Sequence, residues 1–594
     1  MPSITTLALA SIPILLAAVV YQVGVPEARE IVNLLPPFLA LRILENVFSE
    51  IHCYESVQTL SDELPSANCF SVANGKFTGV FAHTMGPMGK EMPDGHVIPG
   101  LWDGHGHLMQ YGELLHSADL FGAESMDEVK QRLVDYKTSH PEAGTSAQWL
   151  RGVGWDQANF GGRWPLAPDL EIGENFKDQY VMLDRVDVHC VWVSNKVLDL
   201  LPSPLPDVPG GEIPARGVFC DNSIDIVAKY YPKPGKESRS KFLKDAMLNL
   251  NKLGIVGMHD AGVFPSELEL YKELIQDEDW TLRVYAMLEC ETRNTFCPGD
   301  ASKFHTADGK LHVQSVKLFA DGALGSWGSA MLEPYSDKPE SSGSLLVNAT
   351  ALTKLAIDWS AAGFQVNIHA IGDLANKLAI DAFIAAYDLL CPDATHQQCQ
   401  TRHRFRIEHA QIIHPDQQKQ MFEIGIIPSI QPTHATSDMP YAESRLGKTR
   451  TAEEAYRMRS LLPLRPILGS DFPVEPASIL EGIYAAITRR SPRTGLDAGG
   501  GEEGWYPEET LTLKEALRGF TLNPAHGAFL EGKAGVIKQG AYADWVVLDE
   551  PLENLEVESL RTATVKETWV GGKRVYKRPE PEDSFNIWKV LPTP

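Results

Sequence analysis

The chain has 594 residues, enough to bury a large core, and 43% of them are apolar, which is typical of a globular protein. Its 53 basic and 78 acidic side chains give a formal net charge of −25. Because such a chain repels a phosphate backbone, we expect no nucleic-acid partner.

The N-terminus carries an apolar run. Residues 1–26 contain no charged side chain, and residues 4–25 are about long enough to cross a bilayer as a helix. The first basic side chain is Arg29, whereas secretory signals normally have a basic region ahead of the apolar run. We favour a membrane anchor over a cleaved signal, with a buried core helix as the third alternative. The expected location is the secretory pathway, either anchored or secreted.

A small β region follows. The segment CFSVANGKFTGVFA, residues 69–82, predicts two strands joined by a turn at Asn74-Gly75. Near the other end, GVIKQGAYADWVVLD and TVKETWVGGKRVYK alternate in the same way, with turns at Gly540 and Gly571-Gly572. We predict that residues 65–97 and residues 511–594, which also contain a helix, build one β-sandwich from both chain ends.

The long middle of the chain alternates short β-branched runs with helical patterns, which indicates parallel β/α units. Polar residues repeatedly follow the strands, as in NIHAIGD, RIEHAQ and ILGSD. This is where a (β/α)8 barrel keeps its active site. We predict an α/β fold with a TIM-like barrel over residues 98–510, and a large lid insertion at about 115–300 that covers the site.

The eight cysteines include two pairs that are close in sequence, Cys290 with Cys297 and Cys391 with Cys399. Disulfides there, and the glycosylation sequon at residues 348–350, would suit a lumenal or extracellular protein. The alternative is that all eight cysteines are reduced and the sequon is unused.

Four histidines and one aspartate form a candidate metal site. His105 and His107 in GLWDGHGHLM share one face of an extended strand, which makes half of a zinc site. His369, His409 and Asp471 each follow a predicted strand, where a barrel would bring them to the first pair. The alternatives are hydrogen-bonded core histidines and an N-capping aspartate, but the shared strand-end position favours a metal centre that activates water.

One lysine is unexpected. Lys317 interrupts the apolar run in SVKLFADGALGS, residues 315–326. A long side chain there can reach solvent with its ammonium group or pair with Asp321.

The order HxH, Lys, His, His, Asp resembles that of the amidohydrolase superfamily. The phrases VIPGLWDGHGHL, VKLFADGALGSWGSAMLEPY, RIEHAQIIHPDQ and GSDFPVEPASILEGIYAAITR resemble the YtcJ-like branch, amidohydrolase family 3, and the resemblance covers about residues 65–580. It implies one or two divalent metal ions, with zinc the first choice. Metal ligands would be His105, His107, Lys317, His369, His409 and Asp471.

The resemblance also implies individual roles. Asp471 would be the catalytic proton shuttle, and Lys317 would be carboxylated so that its carbamate bridges two metals. Arg185, His189 and His434 are weaker candidates for substrate binding.

The function expected is metal-dependent hydrolysis of a C–N bond in a small amide, cyclic amide or N-acyl molecule. Two alternatives stay open: an ester or lactone hydrolase at the same centre, and a metal-free binding protein on the same fold. The expected partner is a small-molecule substrate, with membrane contact through residues 4–25, and a homodimer is also allowed for.

Overall fold

The computed structural model describes residues 49–82 and 93–579. The apolar run at residues 4–25, with its predicted anchor or signal role, lies outside these ranges. Inside them, no helix combines the length and the apolar character that a membrane span requires. The described residues form two compact units, the first from 49–82, 93–100, 532–551 and 565–579, and the second from 101–531 and 552–564.

The strands are numbered in chain order. The first unit begins with β1 (Glu50–Gln58), β2 (Ser66–Ala73), β3 (Lys76–Phe81) and β4 (His96–Pro99). The second unit contains β5 (Leu101–Gly106), β6 (Ala118–Asp119), β7 (Leu150–Trp155), β8 (Val181–Arg185), β9 (Cys190–Val193), β10 (Gly211–Ala215), β11 (Val218–Asp221), β12 (Ile255–Val263), β13 (Arg283–Leu288), β14 (Phe304–His305), β15 (Leu311–Phe319), β16 (Gln365–Ala370), β17 (Arg406–His409), β18 (Ile427–Ile430) and β19 (Ile467–Leu468). The first unit ends with β20 (Trp545–Leu548), β21 (Glu567–Val570) and β22 (Lys573–Lys577).

The α-helices, also in chain order, are α1 (Leu108–Leu114), α2 (Met126–Ser139), α3 (Asn195–Leu198), α4 (Ile224–Ala228), α5 (Lys236–Lys252), α6 (Pro265–Leu274), α7 (Ala349–Ala361), α8 (Asp373–Leu390), α9 (His396–His403), α10 (Pro415–Ile424), α11 (Pro432–Asp438), α12 (Ala442–Leu446), α13 (Lys448–Glu454), α14 (Ile479–Thr488), α15 (Leu513–Gly519) and α16 (Leu522–Gly527).

The first unit is built from both chain regions that the sequence predicts to share a domain. Its strands are hydrogen-bonded into a single seven-stranded sheet in the order β22-β21-β20-β4-β1-β2-β3. The junction between the two regions is the antiparallel pair β4 and β20, in which Val97 lies opposite Val547. Asn74 and Gly75 have positive φ angles between β2 and β3, as the predicted turn requires.

The second unit contains the barrel. Eight strands run in the order β5-β12-β13-β15-β16-β17-β18-β19, and every neighbouring pair is parallel. A bridge between Gly106 and Phe472 connects the two ends, so the barrel is nearly closed. Strands such as β13 and β16 are buried along their whole length, as the strands of a parallel barrel covered on both faces are expected to be. The predicted TIM-like barrel is confirmed.

A separate sheet is inserted between the first two barrel strands, in the order β10-β11-β9-β8-β7-β6. It has its own apolar core, which includes Trp155 and Trp192. The insertion is shorter than the predicted range of 115–300, because β12 and β13 already belong to the barrel. The strands of the inserted sheet and of the barrel have similar short apolar patterns, so the sequence pattern could not locate the boundary between the insertion and the barrel.

Four disulfides join all eight cysteines. Cys290 pairs with Cys297 and Cys391 with Cys399, as their spacing suggests. The other two, Cys53–Cys69 and Cys190–Cys220, connect neighbouring strands.

Candidate metal centre

The four histidines and the aspartate of the predicted metal site converge at the carboxyl ends of the barrel strands. His105 lies on β5, His369 on β16 and His409 on β17, whereas Asp471 follows β19. The ligand atoms of His105, His409 and Asp471 all lie within 4.8 Å of one another. His107 Nε2 lies 3.1 Å from Asp471 Oδ1, although 364 positions separate these residues. The barrel therefore gathers the residues that the sequence pattern singled out.

The donor set suits a divalent metal. His369 Nε2 is buried without a hydrogen-bond partner in the part of the chain that the structure describes, and its ring centroid lies 4.4 Å from that of His409. An imidazole nitrogen is costly to bury unpaired, so this atom is suited to a ligand. Burial and the nearby Lys317 ammonium lower the pKa of His105 to about 4, which keeps the ring neutral, as metal binding requires. These residues fit a zinc-type centre.

A buried carboxylate that the sequence analysis missed orients His105. Glu408 Oε2 accepts a hydrogen bond of 2.6 Å from His105 Nδ1, which leaves Nε2 facing the site. Burial alone would raise the pKa of Glu408, but Arg406 and His105 hold it well below its usual range. Arg406 Nε lies 2.8 Å from Glu408 Oε1, and both side chains are fully buried. The available signal was the strand RIEH, which places Arg406 and Glu408 on one face.

The loop that carries Asp471 is tied to β5. Asp103 accepts hydrogen bonds from the backbone N–H of Ser470 at 3.0 Å and from its hydroxyl at 2.7 Å. The Asp471 N–H donates to the His105 carbonyl at 2.7 Å. Asp471 and His409 have φ angles of 64° and 70°, in the left-handed region. Non-glycine residues adopt it at a cost, which the surrounding contacts must offset.

Lys317 is buried beside these residues, with 3% of its surface exposed. Its Nζ lies 3.4 Å from His105 Nε2 and 3.4 Å from the Ala261 carbonyl. Asp321 instead accepts hydrogen bonds from three backbone N–H groups, those of Ala330, Ile371 and Gly372. Lys317 therefore does not extend to the outer surface and does not pair with Asp321, and burial lowers its pKa.

The site opens into a cavity of about 510 Å³, lined by the barrel and the inserted sheet. All three candidate substrate-binding residues line it. Arg185 is ion-paired with Asp156 at 2.8 Å and with Asp187. His189 bonds Asp221 at 2.8 Å, and His434 Nε2 lies 3.6 Å from Asp471 Oδ2. Every residue predicted for the site lines this cavity except His105, which is fully buried beneath it.

Comparison with known proteins gives consistent results. Residues 94–576 match the model of the "Amidohydrolase family". The protein LONG AFTER FAR-RED 3 of Arabidopsis thaliana is 27% identical over 550 residues, which cover 88% of this chain and 90% of that protein. The putative amidohydrolase YtcJ of Bacillus subtilis (strain 168) is 26% identical over 503 residues, 81% of this chain and 89% of that protein.

Two further similarities concern chemistry and fold. The N-substituted formamide deformylase of Arthrobacter pascens is 24% identical over 507 residues, 81% of this chain and 88% of that enzyme. The crystal structure of an uncharacterized metal-dependent hydrolase from Pyrococcus furiosus superposes with a TM-score of 0.63 at 25% identity, covering 84% of this chain and 99% of that one.

Proposed function

Because this chain belongs to the amidohydrolase family and is a metal-dependent hydrolase, we propose that it cleaves a C–N bond in a small amide, cyclic amide or N-acyl compound. This proposal rests mainly on one observation: the ligand atoms of His105, His409 and Asp471 lie within 4.8 Å of one another at the base of a cavity. Similarity to an enzyme named N-substituted formamide deformylase supports the choice of a C–N bond.

We assign His105, His107 and Asp471 to one metal ion and His369 with His409 to a second, and zinc is the metal we propose. A divalent ion held there supplies Lewis acidity that polarises a carbonyl and acidifies a water molecule. The chain supplies the geometry. Glu408 fixes the tautomer and the direction of His105, and the cavity confines the substrate against the strand ends.

Asp471 is the proposed proton shuttle. Its carboxylate accepts the proton released by the attacking water and delivers it to the leaving nitrogen, which departs as an amine. His107 contacts Oδ1 at 3.1 Å, and His434 lies 3.6 Å from Oδ2, so both carboxylate oxygens have fixed surroundings.

Lys317 is the proposed site of carboxylation. Its ammonium group would lose one proton, and the free amine would then form an N–C bond with carbon dioxide and lose a second proton, which replaces a buried cation by an anionic oxygen ligand. The support is positional: within the described residues no carboxylate lies within 4.0 Å of Nζ, yet the side chain is buried beside His105.

The chain's location in the secretory pathway is also a proposal. Four disulfides suit an oxidising compartment, and the apolar run at residues 4–25 suits either an anchor or a signal. Sequencing the N-terminus of the mature protein would distinguish the two.

The function is tested by metal analysis of the purified chain together with a screen of matched amides and esters. We expect at least one equivalent of metal and preferential amide hydrolysis that a chelator abolishes. Less than about 0.2 equivalents, with no activity restored by added zinc, manganese or iron, would disprove the hydrolase proposal. A consistent preference for esters or lactones would instead favour the alternative chemistry.

A further inference from the structure

The inserted sheet places a histidine and aspartate pair beside the candidate metal centre. His189 precedes β9 and Asp221 ends β11. Asp221 Oδ1 lies 2.8 Å from His189 Nδ1, and the Asp221 N–H donates to the His189 carbonyl at 2.8 Å. The His189 ring centroid lies 5.6 Å from that of His369. With Nδ1 engaged by Asp221, Nε2 is the ring atom left for the cavity.

A disulfide directly flanks this pair. Cys190 follows His189 in the chain, and Cys220 precedes Asp221. The two cysteines lie opposite each other in the β9 and β11 register and are covalently joined. The crosslink therefore fixes the two strands at the position from which His189 and Asp221 extend. Both sulfur-bearing residues are buried.

The barrel confines Asp221 from the other side. A Cβ atom placed on Gly322 would lie 2.5 Å from Asp221 Oδ1, and one placed on Gly328 would lie 2.9 Å from Oδ2. Both glycines belong to the loop after β15, the strand of Lys317. Asp221 has a φ of 52° and is 4% exposed. Its carboxylate is thus held in one place by the glycine loop and by the disulfide-linked strands.

We propose that His189 hydrogen-bonds the substrate through Nε2, with Asp221 as its positioning residue, and that the Cys190–Cys220 disulfide keeps the pair aligned for turnover. This inference rests on the proposed hydrolase function and names a specificity element on the inserted sheet. The structure gives the disulfide a role at the active site in addition to stability, because its two cysteines adjoin the two residues of the pair.

The first test uses His189→Ala, His189→Gln and Asp221→Asn in the metal-loaded enzyme. We expect His189→Ala to lower kcat/KM by about ten- to hundredfold, as loss of a hydrogen bond to the reacting group does. The Gln variant, which retains a hydrogen-bonding group, should recover part of this loss. Metal content should stay at the wild-type value in all three. A loss of one metal equivalent in His189→Ala would overturn the proposal, because it would make His189 a ligand.

The second test is a double-mutant cycle that combines loss of the Cys190–Cys220 disulfide with His189→Ala. Replacing both Cys190 and Cys220 by serine should lower kcat/KM about tenfold, whereas the same change at Cys391 and Cys399 should leave it within about twofold. In the His189→Ala background, loss of Cys190–Cys220 should add little. If the two losses multiply, the disulfide does not act through His189 and the proposal is wrong.

Failure of the proposed hydrolase function and failure of the inference about His189 give different experimental results. If the wild-type holoenzyme hydrolyses no amide or ester, the proposed function fails. If it hydrolyses amides but Asp221→Asn and His189→Ala retain wild-type kcat/KM, only this inference fails. Asp221→Asn changes no disulfide, so it decides the question even where the double serine variant does not fold.

Discussion

Glu408 and His105 form a fully buried pair, with Oε2 2.6 Å from Nδ1, at the ends of two barrel strands. The carboxylate fixes which imidazole nitrogen faces the site, so it would act through the histidine on a metal bound as proposed.

Glu408→Gln should weaken metal binding by about ten- to hundredfold, because an amide does not hold the imidazole N–H as a carboxylate does and leaves Arg406 uncompensated. The measurement is a competitive metal titration against a chelating dye. Glu531→Gln, a change in the same unit but away from the site, serves as the control. Equal metal affinity in the Glu408 variant and the wild type would contradict the role assigned to this carboxylate.

Lys317→Ala should lower both metal content and activity, because the side chain lies 3.4 Å from His105 Nε2. Short carboxylic acids should restore part of both by supplying the missing anionic oxygen ligand. Lys317→Arg, which cannot form the carbamate, should behave like the alanine variant but without rescue, since its side chain fills the space. Unchanged metal binding in Lys317→Ala would count against carboxylation.

Charges in the cavity predict a substrate preference. Three arginines that line the cavity are already paired with carboxylates, as Arg151 with Glu113, Arg185 with Asp156, and Arg293 with Glu289. Glu475 also lines the cavity; burial raises its pKa to about 7, although His434 and a hydrogen bond with Ser437 favour its charged form. Arg239 and Lys317 also line the cavity and form no ion pair within the described residues, so a substrate carboxylate has cationic partners there, while an ammonium group would meet Glu475 as an acceptor.

Above pH 7, where Glu475 is mostly charged, an N-acyl compound that carries an ammonium group should therefore have a higher kcat/KM than its uncharged analogue of equal length. The comparison needs steady-state kinetics on matched pairs that differ only in the charged end group. Glu475→Gln should reduce the preference for the ammonium compound and leave the neutral one unaffected. Equal kcat/KM values for the two compounds in the wild type above pH 7 would contradict this role of Glu475.

One ion pair predicts a pH-dependent contribution to stability. Arg404 donates to Glu531, with Nη1 2.9 Å from Oε2, and this bond lowers the pKa of the carboxyl from 4.5 to about 2. The folded state holds the charged form more tightly than the unfolded state does. The contribution is therefore fully present above pH 4.5, declines as the pH falls, and is lost near pH 2.

Because half of the Glu531 side chain is exposed, solvent screening limits the contribution to about 0.5–1 kcal/mol. Urea unfolding of metal-free wild type and Glu531→Gln should show this difference at pH 6 and a smaller one at pH 3. A difference that grows towards acid pH would have the wrong sign for this ion pair.

The sequence predicted the barrel, and it predicted that the candidate metal ligands would lie together, for related reasons. His369 and His409 each lie at the carboxyl end of a short strand, and parallel strands bring such ends together. Glu408 was missed because a carboxylate inside a strand does not reveal whether a histidine will face it across the barrel. The Cys190–Cys220 bond could not be deduced, since spacing does not determine connectivity. The predicted C-terminal boundary of the insertion was wrong because the strands of the insertion and those of the barrel are equally apolar.

The pairing of β4 with β20 has a consequence for synthesis. Val97 emerges from the ribosome early and its partner Val547 near the end, so the seven-stranded sheet cannot close while the chain is still growing. Until then β4 presents an open edge that can pair with other chains. Closure across such a distance in sequence is also slow. C-terminal truncations that remove β20 should therefore aggregate even though they leave every residue of the candidate site in place.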